Sequence, residues 1–509
     1  MNAIQEISRL LNVTHTENGD LAYKSTGSFC LDFFSLCGGM RHNPGELEKL
    51  FVKAYSENPV LAIKILFYLR NIRGGLGERN SFRNLLAYLA KSHPDVAKQV
   101  LYAVPVYGRW DDIFVLLGTP VEAAVIDLVK KQLDKDKLIL EKKEPAGETV
   151  SLLGKWLPSV NAIGGTALAK VLMKALGMNA ATYRKLCSAL RKEIKIIENN
   201  LRTKDYTFDY SKQPSQAMLK YKKAFLRNDE ERYKAFLNKV ITQAAHPELV
   251  PEEERIKLNT KTLYPYQIVA PILEAIEKRA DYSEERELPL EASWKAIDRG
   301  TYDSRTIVVR DGSGSMYWRP GQDRPINIAT SLALLFAEQL GGVYKNCFIT
   351  FSNHPELVPI PAACDTLRKK LEFICQYGDC SNTDIGKVYQ VILKAALSGN
   401  IPPEEMIERI LIISDMEFDC CSNANSSFDY YKKKFAEYGY EMPEIVFWNV
   451  EARNVHMPVT MNERDVKLVS GKSSAIFADV IAGTLKVTTP YDLMLKILEP
   501  YKEFDQVVA

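Results

Sequence analysis

The stretch Thr306–Met316, TIVVRDGSGSM, constrains the fold more than any other part of the chain. Its first four residues, Thr306–Val309, are apolar or β-branched, as expected for a strand buried on both faces of a parallel sheet. The strand runs into Asp311, and Ser313 and Ser315 follow two positions apart. Mg²⁺ prefers oxygen ligands at about 2.1 Å, and two hydroxyls on one tight loop can reach the same ion. The intervening glycines allow the backbone angles of such a loop, although an ordinary turn has the same composition.

Two later positions complete a set of five oxygen-bearing side chains. Thr383 precedes a predicted helix, and a second buried-strand pattern, Arg409–Ser414, ends at Asp415. Open α/β sheets bind their ligands at the carboxyl ends of the strands, so these side chains are expected at one edge. Their order and spacing resemble the metal-ion-dependent adhesion site of a von Willebrand factor type A domain. The resemblance covers about residues 304 to 505.

This resemblance implies a role for each of the five side chains. Ser313, Ser315 and Thr383 would bind Mg²⁺ or another divalent cation directly. Asp311 and Asp415 would hold water molecules that bind the cation. The remaining coordination position would accept an acidic residue of a protein partner.

The hydrophobic pattern divides the chain into two predicted domains, 1–290 and 291–509. In the first, helical periods begin at Pro44, Pro59 and Glu78 and recur to Ala280 with short turns between them. This pattern predicts stacked helical hairpins, a HEAT-like solenoid or ring. Residues 1–40 are expected to be irregular, and the charged stretch 281–290 is expected to be a linker.

From residue 305 onward, predicted strands and helices alternate. The fold class is therefore α plus α/β, with a doubly wound, Rossmann-like sheet in the second domain. Strands are predicted at 305–310, 343–351, 356–360, 409–414, 444–450 and 466–469. Helices are predicted at 325–340, 365–376, 384–397, 427–438 and 490–503.

Composition restricts the compartment. No apolar run reaches the roughly 20 residues of a membrane span, and the first 20 residues lack a signal-peptide pattern. The nine cysteines form no C-x-x-C pair, which favours reduced thiols. We therefore expect a cytoplasmic protein with no membrane contact.

Charge is unevenly distributed although the whole chain carries only +2. Residues 1–300 hold 45 Lys and Arg against 37 Asp and Glu, whereas residues 301–509 hold 21 against 27. The segment 151–239 alone holds 18 basic and 7 acidic residues. Such an excess favours a surface that binds a polyanion, and solvated helix faces are the alternative.

Several basic residues are candidates for contact with RNA phosphates, because arginine pairs its planar fork with phosphate oxygens. The glycine-rich turn at Gly74, Gly75 and Gly77 could hold a phosphate at a helix start, or could simply join two helices. Trp110 and Trp156 could stack on bases or pack between helices. The candidates are Arg70, Arg73, Arg79, Arg83, Arg109, Lys220, Lys222, Lys223 and Arg227. Arg70 and Arg109 could equally pair with Asp111 or Asp112.

A basic helical part followed by a type A-like part resembles the Ro autoantigen family, whose TROVE module is a ring of HEAT-like helices. Local segments resemble more closely a related family known only as a domain of unknown function. These segments are FYLRNIRGGLGERNSFR (67–83), YGRWDD (107–112), KWLPS (155–159), PSQAMLKYKKAFLRND (214–229), LYPYQIV (263–269), DGSGSM (311–316), ISDMEFD (413–419) and PEIVFWNV (443–450). The Ro resemblance implies a ribonucleoprotein scaffold. Small structured RNAs would bind its outer face, and single-stranded ends would enter the ring.

Three functions compete on these grounds. The first is an RNA-binding scaffold of Ro-like type with a magnesium-binding type A domain. The second is a metal-dependent protein interaction adaptor that binds no RNA. The third, an enzyme, has little support, because the six histidines are scattered and no general base accompanies the predicted metal. We therefore expect a protein that binds rather than catalyses.

Overall fold

The computed structural model describes residues 11–141, 148–162, 164–281, 283–297, 305–378, 384–418, 424–477, 480 and 489–508. Thr383, one of the predicted cation ligands, lies outside these ranges. None of the helices in the described ranges has both the length and the apolar character needed to cross a bilayer.

The part before residue 298 is mainly helical, and its helices begin where the local sequence caps them. Asn43 and Asn58 each accept a hydrogen bond from the backbone N–H three residues on, and prolines occupy the next position. The elements are β1 (Val13–His15), β2 (Leu21–Tyr23), α1 (Phe29–Leu36), α2 (Pro44–Glu57), α3 (Pro59–Arg70), α4 (Arg79–Ser92), α5 (Pro94–Val100), α6 (Val104–Tyr107), α7 (Glu122–Leu140), α8 (Leu153–Trp156), α9 (Thr166–Ala175), α10 (Ala180–Glu193), α11 (Ile197–Thr203), α12 (Ser215–Asn228), α13 (Glu230–Ala245), α14 (Pro265–Glu277) and α15 (Glu284–Lys295). Short 3₁₀ segments cover Leu101–Ala103, Trp110–Leu116, Tyr210–Lys212, Pro247–Leu249 and Glu252–Glu254.

The part from residue 305 alternates strands and helices, as predicted. Its elements are β3 (Thr306–Asp311), α16 (Pro325–Gln339), β4 (Cys347–Phe351), β5 (Leu357–Pro359), α17 (Leu367–Ile374), α18 (Ile385–Ser398), β6 (Arg409–Ser414), α19 (Ala424–Glu437), β7 (Glu444–Asn449), β8 (Val466–Ser470) and α20 (Pro490–Leu498). Further 3₁₀ segments cover Gly314–Tyr317, Pro403–Glu405 and Glu499–Gln506. The described strands form a six-stranded sheet in the order β5-β4-β3-β6-β7-β8, and only the β4–β5 pair is antiparallel.

Both faces of this sheet are covered, which explains its nearly continuous apolar strands. Along β6, Leu411 and Ile413 belong to the core that also contains residues of α16 and α17. Ile410 and Ile412, on the opposite face, belong to a second core with residues of α18 and α19. The predicted combination of a helical part with a mostly parallel α/β part is confirmed. Closure of the helices into a ring or solenoid stays a prediction.

The two parts share packing at both chain ends. Tyr23, the last residue of β2, exchanges backbone hydrogen bonds with Met457 in the loop after β7. At the other end, Phe504 stacks on Phe67 of α3 with ring centroids 4.4 Å apart. Segments from each end of the chain therefore pack against the opposite part.

Two local expectations were wrong. Residues 11–40 are not irregular, because they contain the β1–β2 hairpin and the buried helix α1. The stretch 281–290 is not a simple linker, because α15 begins at Glu284 within it. Acidic residues in the first turn of α15 suit the positive end of a helix, and its buried Leu290 and Trp294 fix it to the core.

Candidate metal centre and basic surfaces

The strand order brings the two predicted aspartates together. β3 and β6 are parallel neighbours, with Arg310 beside Ile413 in register, so their carboxyl ends share one edge of the sheet. Asp311 is the last residue of β3 and Asp415 directly follows β6. Both are almost fully buried, at 1% and 2% exposure. The sheet topology therefore brings these two acids to the same edge of the sheet.

The loop after β3 is organised by the carboxylate of Asp311. Its Oδ1 accepts a hydrogen bond of 2.8 Å from the backbone N–H of Ser313, and its Oδ2 accepts one of 2.5 Å from Ser414 Oγ. Neither Gly312 nor Gly314 has a positive φ, so the loop does not need glycine for a left-handed backbone. The predicted reason for the glycines was wrong. The carboxylate and the following 3₁₀ turn shape the loop.

The two serine hydroxyls lie close together. Ser313 Oγ and Ser315 Oγ are 3.0 Å apart and hydrogen bond to each other. Adjacent ligands of an octahedral ion with 2.1 Å bonds are separated by about 3.0 Å. The Ser315 side chain also opposes the rise in the pKa of Asp415 through a hydrogen-bonding interaction, so Ser315 lies near that acid. This all-oxygen donor set fits a hard cation such as Mg²⁺.

Two buried acids lie close together at this edge of the sheet. Burial raises the pKa of Asp311, although hydrogen bonds from Ser414 and Ser313 oppose the rise. Burial and the neighbouring Asp311 carboxylate raise the pKa of Asp415 to about 7, against the opposing effects of Arg453 and Ser315. A bound divalent cation would favour the ionised form of both acids. Among the described residues, no three His, Cys, Asp or Glu side chains form a metal-binding group.

Sequence reasoning missed three side chains around this centre. Ser414 donates to Asp311, and Arg453 Nη2 lies 3.1 Å from Asp415 Oδ2. The same nitrogen lies 3.0 Å from Glu17 Oε2 in the β1–β2 hairpin. The strand order could have indicated that Arg453 lies near this centre, because the loop after β7 begins at the same edge of the sheet. Nothing in the local sequence indicates Glu17, almost 400 positions before Asp415.

Three of the predicted RNA-binding arginines instead form an ion-pair cluster. Arg70 is 1% exposed, and its guanidinium Nη2 lies 2.8 Å from Asp112 Oδ2. Arg83 Nε donates to Asp112 Oδ1 at 2.6 Å, and Arg79 pairs with Asp111. These pairs fix α3 and α4 to the 3₁₀ segment Trp110–Leu116. Arg70 is therefore not available to a ligand, and the alternative that it pairs with Asp112 is the one observed.

Arg109 differs from these three arginines. No carboxylate of the described residues lies within ion-pairing distance of its guanidinium, which stacks over Trp156 at 4.9 Å from the ring centroid. Arg79 and Lys155 approach the same indole at 5.9 Å and 5.8 Å. Burial, followed by repulsion from Arg70 and Arg79, lowers the pKa of Arg109. Three cations thus approach this indole, and of these only Arg79 has a carboxylate partner among the described residues.

The remaining candidates lie on helix surfaces and turns. In α12, Lys220, Lys223 and Arg227 are exposed. Lys222 is half-buried, and burial lowers its pKa, as does the neighbouring Lys223. Arg73 is exposed and donates to the carbonyl of Val106 at 3.0 Å.

The glycine-rich turn before α4 is a packing element. A side chain at Gly75 would meet the carbonyl oxygen of Tyr68 at 2.2 Å. Gly77 has a φ of +68° and lies against the hydroxyl of Tyr264. Close approach therefore explains Gly75 and Gly77, in agreement with the alternative that the turn joins two helices.

Comparisons with known proteins match two stretches of the chain to different family models. A family model described as domain of unknown function DUF2828 matches residues 16–106 and 121–297, and a second, DUF7788, matches residues 305–487. An uncharacterized protein of Acanthamoeba polyphaga mimivirus is 29% identical over 523 residues, covering 97% of this chain and 88% of its own length. A solved structure, the RO (RSR) protein of Deinococcus radiodurans, is similar with a TM-score of 0.44 and 15% identity. The match covers 94% of this chain and 100% of the Deinococcus chain. Because the first model matches more than half of the residues, this chain belongs to the DUF2828 family.

Proposed function

We propose that this protein is a binding scaffold whose α/β part captures an acidic partner through a divalent cation. Asp311, Ser313, Ser315, Thr383 and Asp415 would hold the cation. The observation that carries the proposal is the 3.0 Å separation of the Ser313 and Ser315 hydroxyls beside two buried carboxylates. When bound, the cation would neutralise these acids and offer its open position to a carboxylate.

Binding is a better account of this edge than catalysis. His456, whose ring lies 3.0 Å from the carboxylate of Glu417, is buried and occupied by that contact. His354, in the loop after β4, is exposed. General base catalysis needs a side chain within hydrogen-bond reach of the reacting group, and His456 is already held by Glu417.

Thermal unfolding tests the cation site. Millimolar Mg²⁺ should raise the melting temperature of the wild type, because a ligand that binds only the folded state stabilises it. EDTA should reverse the effect. The double variant Ser313→Ala, Ser315→Ala should show no Mg²⁺ response, whereas Ser56→Ala, at an exposed helix position, should respond like the wild type. An equal Mg²⁺ response in the double variant would contradict the proposed ligands.

RNA binding by the helical part is the second candidate function, with small structured or single-stranded RNA as the partner. It is favoured by Arg109, which stacks on Trp156 without an ion-pair partner among the described residues. The exposed side chains of Lys220, Lys223 and Arg227 in α12 add further positive charge to the helical part. Filter binding at two salt concentrations tests this function, because phosphate contacts weaken steeply as salt rises. Negligible retention at low salt would exclude it.

A further inference from the structure

The β1–β2 hairpin is fastened to the sheet edge that carries the candidate metal centre. Thr16 Oγ1 donates to the carbonyl of Phe418 at 2.5 Å. The backbone N–H of Glu17 donates to a carboxylate oxygen of Glu417 at 2.9 Å, and Asn18 Nδ2 donates to the Glu417 carbonyl at 2.8 Å. Three consecutive hairpin residues thus hold the loop that begins at Asp415.

This attachment brings the Glu17 carboxylate to the guanidinium of Arg453, which also contacts Asp415 of the candidate centre. One nitrogen of Arg453 lies 3.0 Å from Glu17 Oε2 and 3.1 Å from Asp415 Oδ2, so a single positive group bridges the two acids. The other oxygen of Glu17 accepts a hydrogen bond of 2.7 Å from Asn454. The carboxylate is therefore oriented rather than free.

The bridging position of Arg453 indicates where added positive charge is favourable. Asp311 and Asp415 are buried, whereas the Glu17 side chain is 45% exposed. A divalent cation among these acids would do what the guanidinium does, with twice the charge and shorter contacts. Glu17, as the exposed member, is the acid that an external carboxylate can reach and replace.

We infer that Glu17 is an internal carboxylate ligand for the open position of the bound cation. The inference rests on the proposed cation site. It assigns the hairpin as an intramolecular ligand, and a partner's acidic residue binds by displacing it. Partner capture and release of the hairpin are then one event.

Titration of the full-length protein with Mn²⁺, followed by calorimetry and by water-proton relaxation, tests this role. Glu17→Gln keeps the size of the side chain but removes its charge. It should weaken Mn²⁺ binding by roughly 10- to 100-fold, the usual effect of losing a group that supports a metal. It should also raise the relaxation enhancement per bound ion, because water takes the vacated position.

Two variants separate the carboxylate from other causes. Asn18→Ala removes a contact that holds the hairpin but keeps the Glu17 carboxylate, so its loss of Mn²⁺ affinity should be smaller. Glu46→Gln, at an exposed position paired with Lys49, should bind like the wild type.

Each outcome decides a different claim. Unchanged affinity and relaxation in Glu17→Gln, with normal binding by the wild type, would overturn the role of Glu17 alone. An equal loss in Asn18→Ala would assign the effect to hairpin docking and overturn it as well. No Mn²⁺ binding by the wild type would remove the cation site and this inference together.

Discussion

The carboxylate of Asp112 lies 2.8 Å from the guanidinium of Arg70, and both side chains are almost completely buried, at 0% and 2% exposure. Arg83 and the backbone N–H of Arg109 use the same carboxylate. One acid thus joins α3, α4 and the segment YGRWDD. From the sequence alone, the arginines near this motif could either pair with its aspartates or contact RNA. The structure shows that Arg70 pairs with Asp112.

Replacing Asp112 with asparagine should destabilise the protein by about 3–5 kcal/mol, because Arg70 would remain buried without a charged partner. Urea unfolding would measure the change. Asp95→Asn is the matched control, since Asp95 is 87% exposed and pairs only with Lys98 on its own helix. A loss of less than about 1 kcal/mol in Asp112→Asn, the usual size for surface pairs, would contradict the structural role.

Truncating the aromatic ring of Phe504 should cost about 3–5 kcal/mol, as expected for a large buried side chain. Phe504 is 0% exposed and stacks on Phe67 of α3. The same unfolding experiment compares Phe504→Ala with Val508→Ala, whose side chain is 76% exposed. Equal stability of the two variants would show that the chain end does not fasten the helical part.

The affinity for Mg²⁺ should rise with pH. Asp415 has a pKa of about 7, raised from 3.8, so the cation-free folded protein holds a proton that cation binding must release. Between pH 6 and pH 8 the ionised fraction, and hence the affinity, should increase about tenfold. Calorimetry at both pH values measures the change.

The raised pKa of Asp415 also makes the stability of the cation-free protein depend on pH. Because the folded state keeps the proton to a higher pH than the unfolded state, its stability should fall as pH rises from about 4 to about 7. Asp415→Asn should remove this contribution. It should also flatten the pH dependence of any remaining Mg²⁺ binding. A wild-type affinity that is equal at pH 6 and pH 8 would show that Asp415 does not exchange a proton for the cation.

If the protein binds RNA, its affinity should depend on the lysine and arginine side chains of α12 that form no ion pair among the described residues. A triple variant with alanine at Lys220, Lys223 and Arg227 should bind a single-stranded oligonucleotide more weakly. For this variant, the slope of log K against log salt concentration should be less negative by about 2, since three phosphate contacts are lost. The control replaces three exposed lysines that pair with acids on their own helices, Lys49, Lys131 and Lys278.

A single substitution tests whether the cations near Trp156 contact RNA. Arg109→Ala should weaken RNA binding without a large loss of stability, because its guanidinium forms no ion pair with described residues. Unchanged RNA affinity in both the triple variant and Arg109→Ala would assign the basic faces to solvent.

Sequence periodicity was sufficient for most elements, because their apolar residues follow one face of a helix or fill a buried strand. It failed for α1, whose residues are buried all round except Phe29, so no polar face marks the helix. It also failed for α15, where a charged first turn resembles a linker. In both cases contacts distant in sequence determine the structure.

The candidate centre was partly predictable for a similar reason. Asp311 and Asp415 end neighbouring parallel strands, and strand order brings such positions together. The sequence named Asp111 and Asp112 as possible partners of Arg70 but could not decide between ion pairing and RNA contact, because the pairing depends on how three helical segments meet. Glu17 was not predictable either, since only the docked hairpin brings it to Arg453.

A crystal of the full-length protein grown with Mn²⁺ tests the central claim most directly, through the anomalous difference density of the metal. We predict one peak at about 2 Å from both Ser313 Oγ and Ser315 Oγ, between Asp311 and Asp415. A crystal with no anomalous peak at this sheet edge, at a Mn²⁺ concentration that fills ordinary sites, would contradict the account.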